Sequence, residues 1–276
     1  MSRSNLSLPQ QRRFGQTART DHWWLTPLLV FLGLGAFVVY STWAAFQGAN
    51  YFCGVDGAHY LSPFYSPLLY GTAAEHPWIG VLDKTGYPAW WPSWLPFSAA
   101  LLILWAPGGF RFTCYYYRGA YYKAFWADPS SCAVGEPRSC YRGEQSLPLI
   151  LQNIHRYFLY LALAFILLLA WDAWQAMWFV TNGEAAFGIG VGTIVLSINV
   201  VLLGGYTLGC HSLRHLVGGR LKLLSKHPVR AKATSCVTCL NKNHMRWAWL
   251  SLFWVGFTDY YVRKCSSLEW VDWRIF

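Results

Sequence analysis

Side chains that commonly bind metal ions are concentrated at the end of the fourth apolar stretch. The sequence there, from Gly205 to Lys222, is GYTLGCHSLRHLVGGRLK. Cys210, His211 and His215 lie close together there, and on a helix the two histidines would share one face, one turn apart. Thiolate and imidazole are ligands of zinc, iron and iron–sulfur clusters. A membrane diiron enzyme is excluded, because it needs three H-x3-H-type boxes and this chain has one. Histidines that merely face lipid headgroups are the alternative.

A second group of candidate ligands is expected to approach this stretch in the fold. His155 opens the third apolar stretch, within LPLILQNIHRYFLYLAL. The third and fourth stretches are joined by a short loop, so they should pack as antiparallel neighbours and bring His155 near Cys210. Two cysteines and two histidines form the ligand set of a Rieske-type [2Fe–2S] centre. The predicted metal ligands are His155, His211, Cys210, Cys114, Cys132 and His215.

A rival metal site is the stretch SCVTCLNKNH, with Cys236 and Cys239 at C-x2-C spacing followed by His244. This spacing is typical of zinc and redox sites. One C-x2-C pair and one histidine leave a zinc site a ligand short unless His227 joins. Two incidental cysteines in a basic loop are the alternative.

Composition indicates an integral membrane protein. The 276 residues are 55% hydrophobic and 12% charged, and they include 17 Trp, 17 Tyr and 17 Phe. Soluble domains carry about 25% charged residues. The net charge of +10 does not indicate nucleic-acid binding, because the basic residues lie in loops between apolar stretches. The basic N-terminal segment lacks a short apolar core with a cleavage site, so we expect a cytoplasmic tail rather than a signal peptide.

The apolar stretches predict an all-α bundle of about five transmembrane helices in a single membrane domain over residues 1–276. Tryptophans at the ends of the stretches are typical of an aromatic belt. Two acids, Asp172 and Asp259, fall towards the outer ends of their helices, where a proton path and a simple pairing are both open. The predicted spans are residues 24–46, 94–110, 157–180, 187–208 and 245–262.

The distribution of Lys and Arg predicts the orientation in the plasma membrane. The tail 1–22 carries four Arg, the loop 111–153 carries five basic residues and Cys210–Arg246 carries eight, so these segments are expected in the cytoplasm. The tyrosine-rich loop 111–153 is expected to be structured, and the loop 210–244 to carry metal ligands. Cys53 and Cys265 then lie outside, where they could pair as a disulfide.

Five stretches of the chain resemble the membrane anchor, the cytochrome b-type subunit, of actinobacterial and more narrowly mycobacterial succinate dehydrogenase. They are FGQTARTDHWW, FRFTCYYYRGAYYKAFWADPSSCAV, YRGEQSLPLILQNIHRYFLYLA, LGCHSLRHLVGGR and LNKNHMRWAWLSLFWVGFTDYYVR.

The resemblance implies an anchor that docks the flavoprotein and iron–sulfur subunits and passes electrons to menaquinone or ubiquinone. It would not act on succinate by itself, and five spans leave room for a further small membrane subunit. A quinone pocket needs an apolar slot with a few polar anchors. The candidates for it are Arg118, Tyr122, Trp126, Arg156 and Tyr157.

The identity of the redox centre stays open at this point. Anchors of this family typically hold haem b between two histidines, which here would be His155 with His211 or His215. The nearby cysteines favour the Rieske-type cluster, because thiolates select iron–sulfur chemistry. A polytopic transporter is the less favoured alternative, because no internal repeat is evident. A freestanding zinc protease is disfavoured, because the chain has no H-E-x-x-H.

Overall fold

The computed structural model describes residues 13–82, 88–92, 94, 96–137, 147, 149–181, 183–219 and 223–276. Parts of the predicted tail 1–22 and of the loops 111–153 and 210–244 lie outside the described residues, and Cys140 is among them. The described chain forms two compact units. The first comprises Met1–Ala36 and Arg111–Asn153, and the second comprises Phe37–Phe110 and Ile154–Phe276.

Long helices dominate the described residues, as the composition predicts. They are α1 (Leu25–Gln47), α5 (His155–Gln175), α6 (Val191–Leu208) and α9 (His244–Ser266). Three are long and apolar enough to cross a membrane: α1, the segment Ile150–Gln175 that includes α5, and α6. α9 has 23 residues but is less apolar, so the fifth span stays a prediction.

The second predicted span, residues 94–110, is not one helix. It contains α2 (Ala99–Ile103) and α3 (Trp105–Phe112), separated at Leu104. Pro107 has no N–H to donate to the carbonyl of Ile103, and its ring would clash with that carbonyl, so a continuous helix is broken there. The helical bonds resume with the Gly108 N–H, which donates to Leu104 O at 2.9 Å.

The ends of the third and fourth predicted spans were wrong by several residues. Helix α5 ends at Gln175, and the chain then forms an antiparallel hairpin of β5 (Trp178–Thr181) and β6 (Glu184–Phe187) before α6. Gly183 has φ +85°, the left-handed conformation that a tight hairpin turn requires. Three residues at the end of one predicted span (Trp178, Phe179 and Val180) and one at the start of the next (Phe187) are therefore strand.

Between α1 and α2 the described residues of the second unit form short strands. These are β1 (Phe52–Cys53) paired with β2 (Tyr60–Leu61), and β3 (Tyr70–Gly71) paired with β4 (Gly80–Val81). Gly57, between β1 and β2, has φ +76°, and a Cβ there would lie 2.2 Å from the backbone oxygen of Val180. Only glycine permits this close approach between the segment and the β5–β6 hairpin.

The C-terminal segment is tied to the start of α6. Asp272 accepts hydrogen bonds from the hydroxyls of Tyr60 at 2.6 Å and Tyr261 at 2.5 Å, and from the Gly192 N–H at 2.8 Å. The Ile275 N–H donates to Ile189 O at 2.7 Å. One carboxylate thereby joins β2, α6 and α9.

The two acids that the sequence placed near the outer helix ends both have partners. Asp259 is fully buried and forms an ion pair with Arg263 at 2.7 Å. It also accepts hydrogen bonds from the hydroxyls of Tyr40, at 2.7 Å, and Ser62. Asp172 accepts a hydrogen bond from Ser66 Oγ. Asp259 is thus paired with a cation, whereas Asp172 has a neutral hydroxyl as its partner.

The first unit holds the tyrosine-rich segment. It contains α4 (Tyr115–Tyr121), which continues as a π-helix over Tyr122–Trp126. The N-terminal arm pairs with the end of this segment, because the Gly15 N–H donates to Gly135 O at 3.0 Å. Residues 111–137 are therefore structured, and the side of the membrane on which they lie stays a prediction.

Candidate functional site

Cys210 lies at the junction between α6 and α7 (His211–Gly218), as the N-cap of α7. Its sulfur accepts a hydrogen bond from the Ser212 N–H at 3.4 Å, and the residue is 2% exposed. The positive end of the helix dipole favours negative charge at such a position. Cys210 is thus a buried sulfur at the N-terminus of a helix.

His155, the first residue of α5, directs its Nε2 at this sulfur. The distance from His155 Nε2 to Cys210 Sγ is 3.1 Å. The sequence-based expectation that antiparallel packing brings these two residues together is met, and α5 and α6 do pack against each other. An imidazole nitrogen and a sulfur from two different helices therefore face each other below the protein surface.

An aromatic ring stacks on the imidazole of this pair. The Phe110 ring, at the end of α3, stacks on the His155 ring with centroids 4.7 Å apart and an interplanar angle of 11°. The Phe110 ring also meets the Tyr206 ring edge-on at 5.5 Å. These rings restrict the access of water to the imidazole and the sulfur.

His244 is a neighbour that the sequence prediction assigned to the rival C-x2-C site. It is the first residue of α9, it is 6% exposed, and its ring stacks on Tyr206 with centroids 5.0 Å apart. The His211 ring lies 6.5 Å from the His244 ring. The sequence could have indicated His244 as a neighbour of His155 by its position, because each of these histidines begins a long helix on the same predicted side of the membrane.

The other predicted ligands differ in their surroundings. His211 and His215 are both exposed on α7. Cys114 is buried as the N-cap residue of α4, and Cys132 is exposed, both in the first unit. Arg19 Nη1 donates to the backbone oxygen of Cys132 at 2.9 Å. Of the six predicted ligands, the second unit therefore brings His155 and Cys210 into direct contact.

Comparison with known proteins gives a consistent answer. Residues 25–268 match the family model described as actinobacterial succinate dehydrogenase subunit SdhC. The chain belongs to this family. It is therefore a membrane subunit of succinate dehydrogenase, and its partners are other subunits of that enzyme.

A solved structure is similar over the whole length of this SdhC-family anchor. It is the Mycobacterium smegmatis Sdh1 complex in the apo form, with 42% sequence identity and a TM-score of 0.82. The match covers 100% of this chain and 97% of that chain. A comparison with curated proteins finds no significant match.

The donor set of the anchor can be tested against a metal centre. Within the described residues, no three His, Cys, Asp or Glu side chains are arranged to hold a metal ion. The contact between His155 and Cys210 provides one imidazole and one sulfur, which is half of a two-histidine, two-cysteine set. The donor types are those of the predicted centre, but the described residues do not assemble its ligand set.

The rival C-x2-C site is not assembled by its residues. Cys236 and Cys239 are both exposed on α8 (Pro228–Lys242), whereas His244 is buried at the start of α9. His227 is exposed at the N-cap of α8. No zinc-type group forms among these described side chains.

The predicted quinone contacts fall into two groups. Arg118, Tyr122 and Trp126 lie in the first unit, where the Tyr122 and Trp126 rings are 4.9 Å apart and Arg118 lies over the Tyr115 ring at 4.9 Å. Arg156 and Tyr157 are exposed at the start of α5, in the second unit. The assignment of these five residues to a quinone site stays a prediction.

Phenol groups around α4 stay neutral at physiological pH. Burial raises the pKa of Tyr117 to about 12. Burial, with a smaller effect from neighbouring Tyr122, raises the pKa of Tyr121 to about 12. Gln152 Nε2 donates to the Tyr121 hydroxyl at 2.6 Å, which holds that ring beside Trp126. A neutral phenol is able to donate a hydrogen bond to a carbonyl oxygen.

Proposed function

We propose that this anchor passes electrons to membrane quinone through a Rieske-type [2Fe–2S] centre held by histidine and cysteine ligands. The observation that carries the proposal is the 3.1 Å contact between His155 Nε2 and the buried Cys210 sulfur. An imidazole nitrogen and a cysteine sulfur, brought together from separate segments of the subunit, are the two donor types that such a centre uses. A cluster held there would supply one-electron transfer.

The same contact favours a cluster over haem b. A bis-histidine haem needs two imidazoles with their nitrogens facing each other across one iron. His155 Nε2 instead faces sulfur, and both partners considered for it, His211 and His215, are exposed. A single haem between His155 and one of these remains the alternative centre.

The chain's own residues have separable roles in this proposal. His155 and Cys210 hold the centre, and His211 is the next donor because it follows Cys210 directly. Cys114 is retained from the sequence prediction and is a buried thiol of the first unit. Cys132 and His215 are exposed and rank below these. The Phe110 ring fixes the orientation of the His155 imidazole through its stacking contact.

The proposed electron path begins in the flavoprotein and iron–sulfur subunits, which dock on the cytoplasmic side. We place the tail 1–22 and the loops 111–153 and 210–244 on that side because they carry most of the basic residues. Five spans, with the broken α2–α3 segment as the second and α9 as the fifth, complete the bundle. Oxidation of succinate is assigned to the soluble subunits.

Optical and low-temperature electron paramagnetic resonance spectra of the purified complex, oxidised and then reduced with dithionite, test the proposed centre. We expect no haem α-bands and, after subtraction of the soluble subunit's clusters, an additional reduced signal of low average g. Sharp reduced α-bands would replace the cluster with haem b. If neither feature appears, the anchor's chemistry is quinone binding alone, and the proposed centre is wrong.

For quinone we propose Arg118, Tyr122 and Trp126 as one contact group, with Arg156 and Tyr157 as a separate candidate group. Rings 4.9 Å apart offer a surface for a planar quinone, and a guanidinium stabilises negative charge that develops on its oxygens. Lys123 lies on the same helical segment and is exposed, so it provides a matched cation outside the proposed contacts.

Replacing Arg118 with alanine is expected to raise the KM for quinone roughly tenfold, because a charged hydrogen-bond donor is lost. The rate with an artificial acceptor that takes electrons from the soluble subunits should not change. The Lys123→Ala variant removes the same charge and should leave the KM near the wild-type value. Equal KM values for both variants and the wild type would remove Arg118 from the site.

A further inference from the structure

Cys53 and Cys265 are buried in one apolar cluster of the second unit, far along the chain from each other. Cys53 lies in β1 and is 1% exposed, and Cys265 lies near the end of α9 and is 2% exposed. The same cluster includes Tyr60, Phe179 and Val262. We propose that Cys53 and Cys265 form a disulfide that joins the segment after α1 to the end of the last helix.

The backbone on both sides of this pair is held in place. β1 packs against α9, and Cys53 pairs with Tyr60 in the β1–β2 ladder. Two residues before Cys265, the Arg263 guanidinium donates to Ala49 O at 2.7 Å and to Ala44 O at 2.9 Å. These bonds anchor α9 to the chain just before β1. Both residues are free thiols in this structure. A disulfide between them needs Cα atoms within about 7 Å of each other, an approach that the packing of β1 against α9 favours.

The surroundings of the two thiols disfavour their charged forms. Burial raises the pKa of Cys265 to about 11, with further contributions from Cys53 and Asp272. Burial also raises the pKa of Cys53, with smaller contributions from Asp272 and Asp56. Cys265 thus responds to Cys53, and both respond to the same carboxylate. Both groups lie outside the predicted spans, which end at residue 262 on this side.

The proposal rests on the orientation given above, which puts this end of the bundle outside the cytoplasm. Disulfides persist in that compartment, whereas cytoplasmic thiols are kept reduced. Of the seven described cysteines, Cys53 and Cys265 are the two on that side. The remaining five are Cys114, Cys132, Cys210, Cys236 and Cys239.

The bond forms by thiol–disulfide exchange with a protein disulfide of the cell envelope. One thiolate attacks the oxidant's disulfide and releases a thiolate from it, which leaves a mixed disulfide. The second thiolate then attacks its partner's sulfur, so the oxidant departs as a dithiol with the two electrons. Each of the two cysteines loses one proton. Because both sulfurs are buried and their pKa values are raised, the exchange takes place before the segment closes over α9.

Mass spectrometry of the purified complex tests the bond directly. The complex is denatured without reductant in the presence of N-ethylmaleimide and then digested. We expect a peptide pair joined through Cys53 and Cys265, and maleimide on the exposed Cys236 and Cys239 in the same sample. Reduction before alkylation should release the pair and label both residues. Maleimide on Cys53 and Cys265 without reduction would overturn the proposal.

Two further measurements separate the bond from simple packing and from the orientation. Cys53→Ser, Cys265→Ser and the double variant should lower the melting temperature of the complex equally, because each removes the same bond, while Cys236→Ser should leave it unchanged. Additive falls would mean two independent packing contacts and would contradict a shared bond.

The orientation is tested separately from the bond. A membrane-impermeant maleimide should label Cys236 in inside-out vesicles and not in intact cells. Labelling of Cys236 in intact cells would refute the orientation, whereas the presence or absence of the linked peptide still decides whether the bond forms.

Discussion

Replacing Cys210 with serine is expected to lower succinate:quinone reductase activity by ~100-fold or more, since even residues that only orient metal ligands cost 10–100-fold. The additional reduced signal of the complex should disappear in the same variant. Serine is close to cysteine in size and is a preferred N-cap residue, so α7 should still begin at residue 211. The loss would then be a loss of the sulfur ligand and not of the helix.

Controls make the result specific to electron transfer in the anchor. Electron flow from succinate to an artificial acceptor served by the soluble subunits should be unchanged, and so should the yield of assembled complex. Cys236→Ser changes an exposed cysteine and should behave as wild type. His155→Ala should reproduce the Cys210→Ser phenotype. If quinone reduction and the spectra survive both substitutions, the contact between the imidazole and the sulfur is structural.

Replacing Asp259 with alanine is expected to destabilise the anchor by about 3–5 kcal/mol, because it leaves the buried Arg263 guanidinium without its carboxylate. The carboxylate also accepts the hydroxyl hydrogen bonds of Tyr40 and Ser62, which would lose their partner. The network links α1, the segment before α2, and α9. A large fall in the melting temperature of the detergent-solubilised complex is the expected readout.

The matched control is an exposed ion pair just beyond the same helix. Lys264 and Glu269 form an ion pair in which the Glu269 side chain is 56% exposed. Exposed pairs contribute little to stability because water and salt screen them. Glu269→Gln should therefore leave the melting temperature close to that of the wild type. Equal falls in melting temperature for Asp259→Ala and Glu269→Gln would show that burial does not determine how much the Asp259–Arg263 pair contributes to stability.

Part of the candidate site could be predicted from order along the chain. Histidine at the start of one apolar stretch and cysteine at the end of the next must approach each other if the two helices pack antiparallel, as His155 and Cys210 do. The stacking of Phe110 on His155 could not be predicted this way. The stacking joins the end of α3 to the start of α5, and ring contacts of this kind leave no periodic signal in the sequence.

The residues at which helices begin and end were harder to predict than the presence of the helices. Apolar composition continues through Trp178–Val180 although the backbone there is strand, because hydropathy does not distinguish a buried strand from the end of a helix. The Asn-Gly dipeptide that ends at Gly183 is typical of a hairpin turn. In the structure the residues on either side of it pair as strands, although their apolar composition predicted a helix. Similarly, Pro107 predicts a break in the helix of the second predicted span, which the average hydropathy of the whole stretch does not reveal.

The sequence by itself determined that this protein belongs in a membrane, since runs of apolar residues long enough to cross a bilayer are a property of composition and length. It also determined which helix ends carry sulfur and imidazole donors. Only the tertiary structure decided which of those donors meet, which acids are paired, and that Cys53 and Cys265 share one cluster. Such contacts depend on the packing of elements distant in the chain, whereas hydropathy and residue spacing report only on neighbours along it.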